Sequence, residues 1–498
     1  MKWERKKALS DIAIAQISQY LTQFILFFRN FIFAKFLGPV DFGIYASIFL
    51  FFSYGNYSNL GVVDGISRIV PYQLGAGEDR KARDFLGAGF WGLNFITSVF
   101  SVSIIVYSLL SPFKTIQENR FSVILTSIAI LLNQNFTYVL TYLRMKHNFK
   151  KSYLLQLFQA ILDLTLSIIL MLKFKVLGIF LGAMLSFLIL TLTSIKDLLS
   201  EVKPRFDLGI LKEILNVGFQ ILIVGFTYGF LMSADKFSIA NLFEKQKMGI
   251  YSVAVGLGVL PYFASATLGQ FIGQRMLEEY GKTKSKDTLK IFLDESLLAI
   301  AFITPIISIL TITFAEPFIQ IFLPKYIESL RYVDKLAIAY YFLSLGAILG
   351  TFLITINQQK MILLLNLFLI PIVLLLNFFA FKNGFDLLGI SYVTFLNFSG
   401  RTFFLFLLSY KNYYDLYKAI KTFFKFSIPS FPIFLVFAVK FLNLNVYQRI
   451  GIRFAFAILF LIVAIIFLSK KTQIVSYMIE LMKERIVNYF GKITDLFI

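Results

Sequence analysis

One arginine lies inside a long apolar stretch near the amino terminus. Arg29 follows about twenty apolar or uncharged residues and precedes Gly38 by nine positions, or about 13 Å of helix. A guanidinium at the middle of a bilayer costs about 2.5–3.5 kcal/mol on insertion scales, so it normally faces water or a partner. Beside it, uncharged polar side chains share one helix face at 3, 4 and 7 spacing: Gln16, Gln19, Gln23 and Asn30. This pattern predicts a polar face that binds substrate through Arg29, Gln23 and Asn30.

A short motif recurs in the second half of the chain. Gly43-Ile44-Tyr45 reappears as Gly249-Ile250-Tyr251, an offset of 206 residues, and each copy opens the second apolar run of its half. Both halves begin on the same side of the membrane and contain an even number of apolar runs. This predicts parallel repeats that are related by an axis along the membrane normal.

The same offset relates Arg29 to Asp235, which Lys236 follows. We therefore expect Arg29 and Asp235 to face a common aqueous cleft between two lobes. There Arg29 would meet a substrate phosphate, Asp235 would restrain or replace that contact, and Lys236 would add positive charge. The alternative is a static ion pair that fastens the two lobes together.

Four further charges lie within or beside apolar runs. Asp64 and Arg68 are four residues apart and can share a helix face, either as a helix-end pair or as a gate. Asp163 and Arg401 are isolated in their runs and either line a cavity or satisfy a neighbouring helix. We assign Arg401 to substrate binding, and Asp163, Asp64 and Arg68 to gating or ion coupling.

The elements that position these residues are transmembrane helices. Of the 498 residues 58% are hydrophobic, and the mean hydropathy is +0.76, which suits a lipid solvent. About 20 apolar residues span a bilayer, and the uncharged or nearly uncharged runs are 8–36, 42–63, 85–113, 121–143, 152–172, 176–195, 214–234, 248–274, 296–315, 336–359, 361–381, 387–410, 426–439 and 454–469. The predicted fold class is all-α, a polytopic membrane protein of about fourteen transmembrane helices.

The runs and the repeat together define four regions. We predict two pseudo-symmetric six-helix lobes at 1–205 and 206–412, followed by an extra helix pair at 413–470. The tail at 471–498 has apolar residues at helical spacing with basic residues between them, which is typical of an interfacial amphipathic helix.

The net charge of +20 indicates the orientation of the chain in the membrane rather than binding to nucleic acid. On alternate loops counted from the amino terminus, one side carries roughly twice as many Lys and Arg residues as the other. Both termini are therefore predicted to be cytoplasmic, and the excess charge is expected to contact anionic membrane lipids.

The sequence lacks the residues that several kinds of catalytic or binding site require. Cysteine is absent, and the lone histidine, His147, lies in a basic loop where solvent contact is expected. Seven residues separate Gly281-Lys282-Thr283 from the preceding glycine, Gly273, whereas a nucleotide-binding loop needs four. The external loops are short, the longest near 316–335, and leave no room for a catalytic domain. We therefore expect no enzyme activity, no cofactor and no metal. The chain would be either a secondary transporter, coupled to an ion such as H⁺ or Na⁺, or a facilitated one.

Two segments resemble a known family: Phe36-Leu37-Gly38-Pro39-Val40-Asp41-Phe42-Gly43-Ile44-Tyr45 and Gly65-Ile66-Ser67-Arg68-Ile69-Val70-Pro71. They look like the polysaccharide transporters, the Wzx-type O-antigen flippases of the multidrug/oligosaccharidyl-lipid/polysaccharide (MOP) superfamily. The resemblance implies a V-shaped pair of six-helix lobes around a cavity, with two added helices. It also implies transport of an undecaprenyl-diphosphate-linked oligosaccharide to the periplasmic leaflet of the bacterial inner membrane by alternating access. A polysaccharide polymerase complex is a further partner to be expected.

Three other functions stay open at this point. A drug or ion antiporter of the same superfamily would have similar lobes but usually twelve spans, and a lipid II flippase shares the fourteen spans. A membrane glycosyltransferase or polymerase generally needs a long external loop or an acidic pair in the first one, where this chain has only Asp41.

Overall fold

The regular elements of the chain are helices. The computed structural model describes residues 2–471 except 113, 284, 412, 440, 441 and 443, and within these ranges every regular element is helical. Ten of the described helices are long and apolar enough to cross a membrane. A helix satisfies its backbone hydrogen bonds internally, as a lipid solvent requires. The predicted all-α, multi-pass fold is confirmed, while the total of fourteen spans stays a prediction.

Residue contacts divide the chain into two compact units, Met1–Ser252 and Val253–Ile498. The first unit holds seven helices and the start of an eighth: α1 (Lys2–Gly55), α2 (Val62–Gly75), α3 (Asp79–Leu110), α4 (Lys114–Glu118), α5 (Arg120–Met145), α6 (Phe149–Leu199), α7 (Leu208–Leu242) and α8 (Lys245–Gly258). Because α7 packs within the first unit, the repeat-based lobes 1–205 and 206–412 stay a prediction about internal symmetry.

The second unit is also helical: α9 (Leu260–Thr283), α10 (Lys286–Phe322), α11 (Leu330–Thr355), α12 (Gln359–Lys382), α13 (Asp386–Tyr410), α14 (Leu416–Ser427), α15 (Phe431–Ala438) and α16 (Val446–Lys471). Two short 3₁₀ turns, Pro324–Ser329 and Ile428–Ser430, join their neighbours. The region predicted as an extra helix pair contains α14 to α16, and α10 packs against all three. The predicted amphipathic tail lies, beyond Lys471, outside the described residues.

Polar side chains cap several helices at their first turn. Asn148, Asp207, Ser285 and Asp415 each accept a hydrogen bond from the amide three residues later. Each cap satisfies a backbone N–H that has no partner within the helix. The capped helices are α6, α7, α10 and α14.

The helix α1 is a hairpin of two antiparallel helices. Its backbone turns at Gly38, where φ is 75° and ψ is 172°, immediately before Pro39. The rings of Phe33 and Tyr45 lie 5.5 Å apart, although twelve residues of continuous helix would separate them by about 18 Å. The turn lies between the predicted runs 8–36 and 42–63.

The helix α6 is a second hairpin. Lys175, with φ 50° and ψ −128°, interrupts it between the predicted runs 152–172 and 176–195. Gly182 lies so close to the backbone of Ser167 that an added Cβ would come within 2.5 Å of the Ser167 nitrogen. Across the turn, Lys175 Nζ lies 3.3 Å from Asp41 Oδ2, which links the tips of the two hairpins.

The predicted run 42–63 is wrong as a continuous helix. The chain leaves helical geometry after Gly55, and Leu60 and Gly61 have positive φ angles of 50° and 96°. Side-chain amides satisfy the freed backbone: Gln134 Nε2 donates to the Gly55 oxygen at 2.9 Å, and Asn59 Oδ1 accepts from the Gly61 amide at 2.8 Å. Irregular backbone at membrane depth is tolerated where the protein satisfies it in this way.

The two copies of the repeated motif pack against each other inside the first unit. A Cβ added to Gly43 would lie 1.7 Å from the Lys245 oxygen, and one added to Gly249 would lie 2.0 Å from the Pro39 oxygen. The 206-residue offset relates one contact to the other, because it takes Gly43 to Gly249 and Pro39 to Lys245. The reciprocal approach explains why both copies carry glycine, since any side chain would force the backbones apart.

Candidate functional site

Arg29 is buried and paired with Asp163. Its side chain leaves the first half of α1, is 8% exposed, and donates from Nη1 to Asp163 Oδ2 on the first half of α6. The guanidinium also lies over the rings of Phe33 and Phe49, at 5.5 and 5.7 Å from their centroids. Arg29 therefore faces the interior of the first unit rather than lipid. A buried pair of this kind is stable only while both partners are present.

Asp163 is held by a second contact on its own hairpin. Ser167 Oγ lies 3.0 Å from Asp163 Oδ1 and 3.1 Å from the Ile179 carbonyl oxygen, so the hydroxyl can donate to either. Asp163 and Ser167 are 2% and 0% exposed. The carboxylate is thus oriented by α6 while it pairs with a guanidinium from α1.

The hydrogen bonds of Arg29 are incomplete. Its Nε is buried and has no hydrogen-bond partner among the described residues. On the same helix Asn30 is half-buried and accepts from Tyr45 Oη at 3.3 Å, whereas Gln23 is exposed. The predicted polar face is therefore divided between two environments, and the side chain of Gln16 lies outside the described residues.

Asp235 has a different partner from the predicted one. It lies on α7, is 4% exposed, and accepts from Tyr251 Oη at 2.9 Å. Its second oxygen accepts from the Lys236 amide at 2.7 Å, and the half-buried Lys236 ammonium interacts with it electrostatically. The carboxylate that pairs with Arg29 is Asp163, because α1 packs directly against α6. Of the two roles that the sequence position of Asp163 allowed, the structure shows the contact with a neighbouring helix.

The repeat nevertheless places an equivalent tyrosine beside each of the two charged residues, Arg29 and Asp235. Tyr251 bonds Asp235, and the equivalent tyrosine, Tyr45, interacts electrostatically with Arg29. Each charged residue of the offset pair thus meets the tyrosine of its own Gly-Ile-Tyr copy. The 206-residue offset identified equivalent positions, although these positions are not partners of each other.

Arg401 is also not isolated. In the second unit it is 4% exposed, and its Nε donates to Asn366 Oδ1 at 3.0 Å across α13 and α12. Of the two roles that its sequence position allowed, the structure shows the contact with a neighbouring helix.

Asp64 lines an open cleft in the first unit. The cleft has a volume of about 700 Å³, and polar groups of α2, α5 and the loop after α5 line it with apolar ones: Asp64, Ser67, Thr137, Thr141, Arg144 and His147. Asp64 is half-buried and interacts electrostatically with the exposed Arg68. Arg144 is fixed by donation from Nε to Ser152 Oγ at 3.1 Å, and His147 is exposed, as predicted.

Sequence reasoning missed a group of amide side chains that link α5 to the segment between α1 and α2. Asn59 Nδ2 donates to Gln134 Oε1 at 2.9 Å, and Asn133 Nδ2 donates to Asn56 Oδ1 at 2.8 Å. The available signal was three consecutive amide residues, Asn133 to Asn135, inside an apolar run.

Solved structures share this fold. A multidrug resistance MATE family transporter of the MOP superfamily, in an inward-facing conformation, matches with a TM-score of 0.64 at 15% identity, over 84% of this chain and 99% of that one. The lipid II flippase MurJ matches with a TM-score of 0.72 at 14% identity, over 92% and 99%. A MOP superfamily transporter from Pyrococcus furiosus matches with a TM-score of 0.52 at 15% identity, over 82% and 95%.

The chain therefore has the fold of these solved structures. The profile of one family, described as polysaccharide biosynthesis protein, matches residues 32–329, which is more than half of the chain. The chain belongs to this polysaccharide biosynthesis protein family, in agreement with the resemblance noted in the sequence. A search of curated proteins gives no match.

Proposed function

We propose that this protein is a flippase that moves an undecaprenyl-diphosphate-linked oligosaccharide, such as an O-antigen repeat unit, from the cytoplasmic to the periplasmic leaflet by alternating access. It acts in the bacterial inner membrane with both termini in the cytoplasm, and passes its product to a polysaccharide polymerase complex. Membership of a polysaccharide biosynthesis family and the MOP fold support this proposal.

The observation that carries the proposal is the buried pair of Arg29 and Asp163. A diphosphate is a strong partner for a guanidinium, because its oxygens accept two parallel N–H donors. Arg29 already has one such anionic partner and keeps an unbonded Nε. The substrate diphosphate would exchange with Asp163 for Arg29, and protonation of Asp163 or a bound Na⁺ would favour that exchange.

The other charged residues have supporting roles in this proposal. Lys236 in the first unit and Arg401 in the second would each contribute positive charge to substrate binding, and Asp235 would limit the freedom of Lys236. The polar cleft beside Asp64 offers hydroxyl, carboxylate and guanidinium groups of the kind that bind sugars. Asp64 and Arg68 would act as a gate at this cleft, while Gln23 and Asn30 would contact the glycan.

The experiment is deletion of the gene followed by analysis of lipid-linked sugars on both sides of the membrane. We expect the intermediate to accumulate on the cytoplasmic face and surface polysaccharide to disappear. Rescue should fail with Arg29→Ala and be weak with Arg29→Lys, because lysine lacks the planar pair of donors. Arg205→Ala, at an exposed loop arginine, should rescue fully. Surface polysaccharide that persists unchanged in a strain with no second exporter would reject the proposal.

A double variant distinguishes transport from a purely structural pair. Replacing both buried charges with apolar residues, Arg29→Met with Asp163→Leu, should restore the stability that either single change removes. If the folded double variant still transports, Arg29 is a structural residue only. Loss of drug resistance with unchanged lipid-linked sugars in the deletion strain would instead favour an antiporter.

A further inference from the structure

A pair of arginines lies in the second unit, apart from Arg401: Arg453 is buried and Arg449 is half-buried. Arg449 and Arg453 are four residues apart on α16 and share one carboxylate, Glu316 of α10. Arg449 Nη2 donates to Glu316 Oε1 at 2.7 Å, and Arg453 Nη1 lies 3.9 Å from Glu316 Oε2. The second distance is too long for a hydrogen bond.

The charges of this group do not balance. Two guanidinium groups face a single carboxylate, and the Nε atoms of Arg449 and Arg453 are both buried with no partner among the described residues. The next carboxylate, Asp334, acts electrostatically on Arg453 but is paired with Lys335 at 2.9 Å. These five groups together carry one positive charge in excess.

An unbalanced buried charge is costly unless a counter-ion joins it. Arg453 is 4% exposed, so bulk water does little to screen it. Both arginines lie in the first two turns of α16, where the helix dipole adds further positive potential. The first turn is already capped, because Asn445 and Gln448 bond each other's backbone amides at 2.9 and 3.1 Å. The donors left for an anion are therefore the guanidinium side chains.

The surroundings of the group are apolar and exposed. Phe314 of α10 and Phe454 of α16 touch at 6.3 Å between ring centroids, and are 49% and 42% exposed. Ile321 and Tyr447 are 70% and 86% exposed nearby in sequence. In a membrane protein such a surface meets acyl chains, which favours an anion that is attached to a lipid.

We propose that Arg449 and Arg453 form a binding site for the phosphate of an anionic phospholipid, with Glu316 as the residue that positions them. The site is separate from the substrate-binding residues proposed above and does not depend on them. Glu316 orders Arg449 when the lipid is absent and competes with the lipid phosphate for both guanidinium groups.

The test is lipid binding to the full chain by native mass spectrometry in an uncharged detergent, with dioleoyl-phosphatidylglycerol or dioleoyl-phosphatidylcholine added. We expect the wild type to bind phosphatidylglycerol at least tenfold more tightly. Arg449→Gln with Arg453→Gln should remove that preference. Glu316→Gln should strengthen phosphatidylglycerol binding several-fold, because it frees both arginines, whereas a merely structural cluster would show no gain.

Lys382→Gln is the matched control, because Lys382 is an exposed base at the end of α12. It should leave the preference unchanged. Equal phosphatidylglycerol binding by the wild type and the double glutamine variant would overturn the proposal. So would displacement of the lipid by an equal concentration of inorganic phosphate, which would assign the arginines to a free anion. If the double variant does not fold, the Glu316→Gln result decides.

Discussion

Two regions of the first unit share a backbone arrangement and carry opposite charges. Around Tyr45 the buried charge is the guanidinium of Arg29, and around Tyr251 it is the carboxylate of Asp235. The first charge is neutralised by an acid from another hairpin, Asp163. The second accepts hydrogen bonds from residues near it in the chain.

This difference shows what the internal repeat preserves. The close approach of Gly43 and Gly249 is reciprocal to within a few tenths of an ångström, so the packing of the two copies is equivalent. The charges that the same offset relates are not equivalent. Packing thus follows the repeat, while each buried charge depends on the helix that faces it.

Removal of the Asp163 carboxylate should have the largest effect. Asp163→Ala leaves Arg29 buried and unpaired, which should cost about 3–5 kcal/mol of stability. Asp235→Asn keeps an acceptor for Tyr251 and should cost only about 1–2 kcal/mol. The unfolding temperature of each full-length variant in one detergent measures this. Equal losses would mean that the two charges are held in equivalent ways.

The glycine contact predicts two equal and fairly large losses. Gly43→Ala and Gly249→Ala each place a Cβ against a backbone oxygen, so the helices must separate, at about 3 kcal/mol. Gly350→Ala is the control, since nothing lies within 4 Å of its added Cβ, and alanine favours a helix. Unequal losses at the two motif glycines would show that the repeat is not reciprocal in solution.

Replacing the two motif tyrosines, Tyr45 and Tyr251, should cost different amounts of stability. Tyr251→Phe removes a hydrogen bond to a carboxylate and should cost about 1.5–3 kcal/mol, whereas Tyr45→Phe removes a weaker bond to an amide and should cost about 0.5–1.5 kcal/mol. Thermal unfolding of both variants provides the comparison. A larger loss for Tyr45→Phe would show that the contact of Tyr45 with Arg29 matters more than that with Asn30.

Breaking an exposed ion pair should cause the smallest loss of stability among these variants. Lys146 Nζ lies 2.6 Å from Glu201 Oε2 between two loops, with both side chains nearly half exposed. Its hydrogen bond holds the pKa of Glu201 below the ordinary value of 4.5. Because the folded pKa is lowered, the stabilisation is present above pH 4.5 and disappears as the pH falls below it. Lys146→Ala should cost under about 0.5 kcal/mol at pH 7, and the difference from wild type should vanish in acid.

Much of the fold could be predicted because membrane helices are specified locally. Uncharged runs indicated membrane-spanning helices, and the turns at Gly38 and Lys175 lie between predicted runs. The interruption after Gly55 was missed, because amides from α5 support it and no local signal reports such a contact. Glu316 was assigned to a loop at 316–335, but α10 continues to Phe322 and brings it to Arg449.

The candidate site could be predicted only as a set of residues. An arginine at mid-membrane depth needs a partner, and that much follows from solvation. Which acid supplies it depends on which hairpins pack together, and α1 packs with α6. Sequence spacing gave Asp235 the correct equivalence and the wrong contact. Asp163 could not be identified, because tertiary packing alone brings it to Arg29.

The hydroxyl of Ser167 has one proton and two acceptors. The Asp163 carboxylate competes strongly for this proton and leaves the Ile179 carbonyl with a weaker bond. A partner that occupied this carboxylate more fully would leave the proton to Ile179 and hold the two arms of the α6 hairpin more firmly together. A change at one carboxylate would then alter the rigidity of the helix pair without any ligand contact at Ile179.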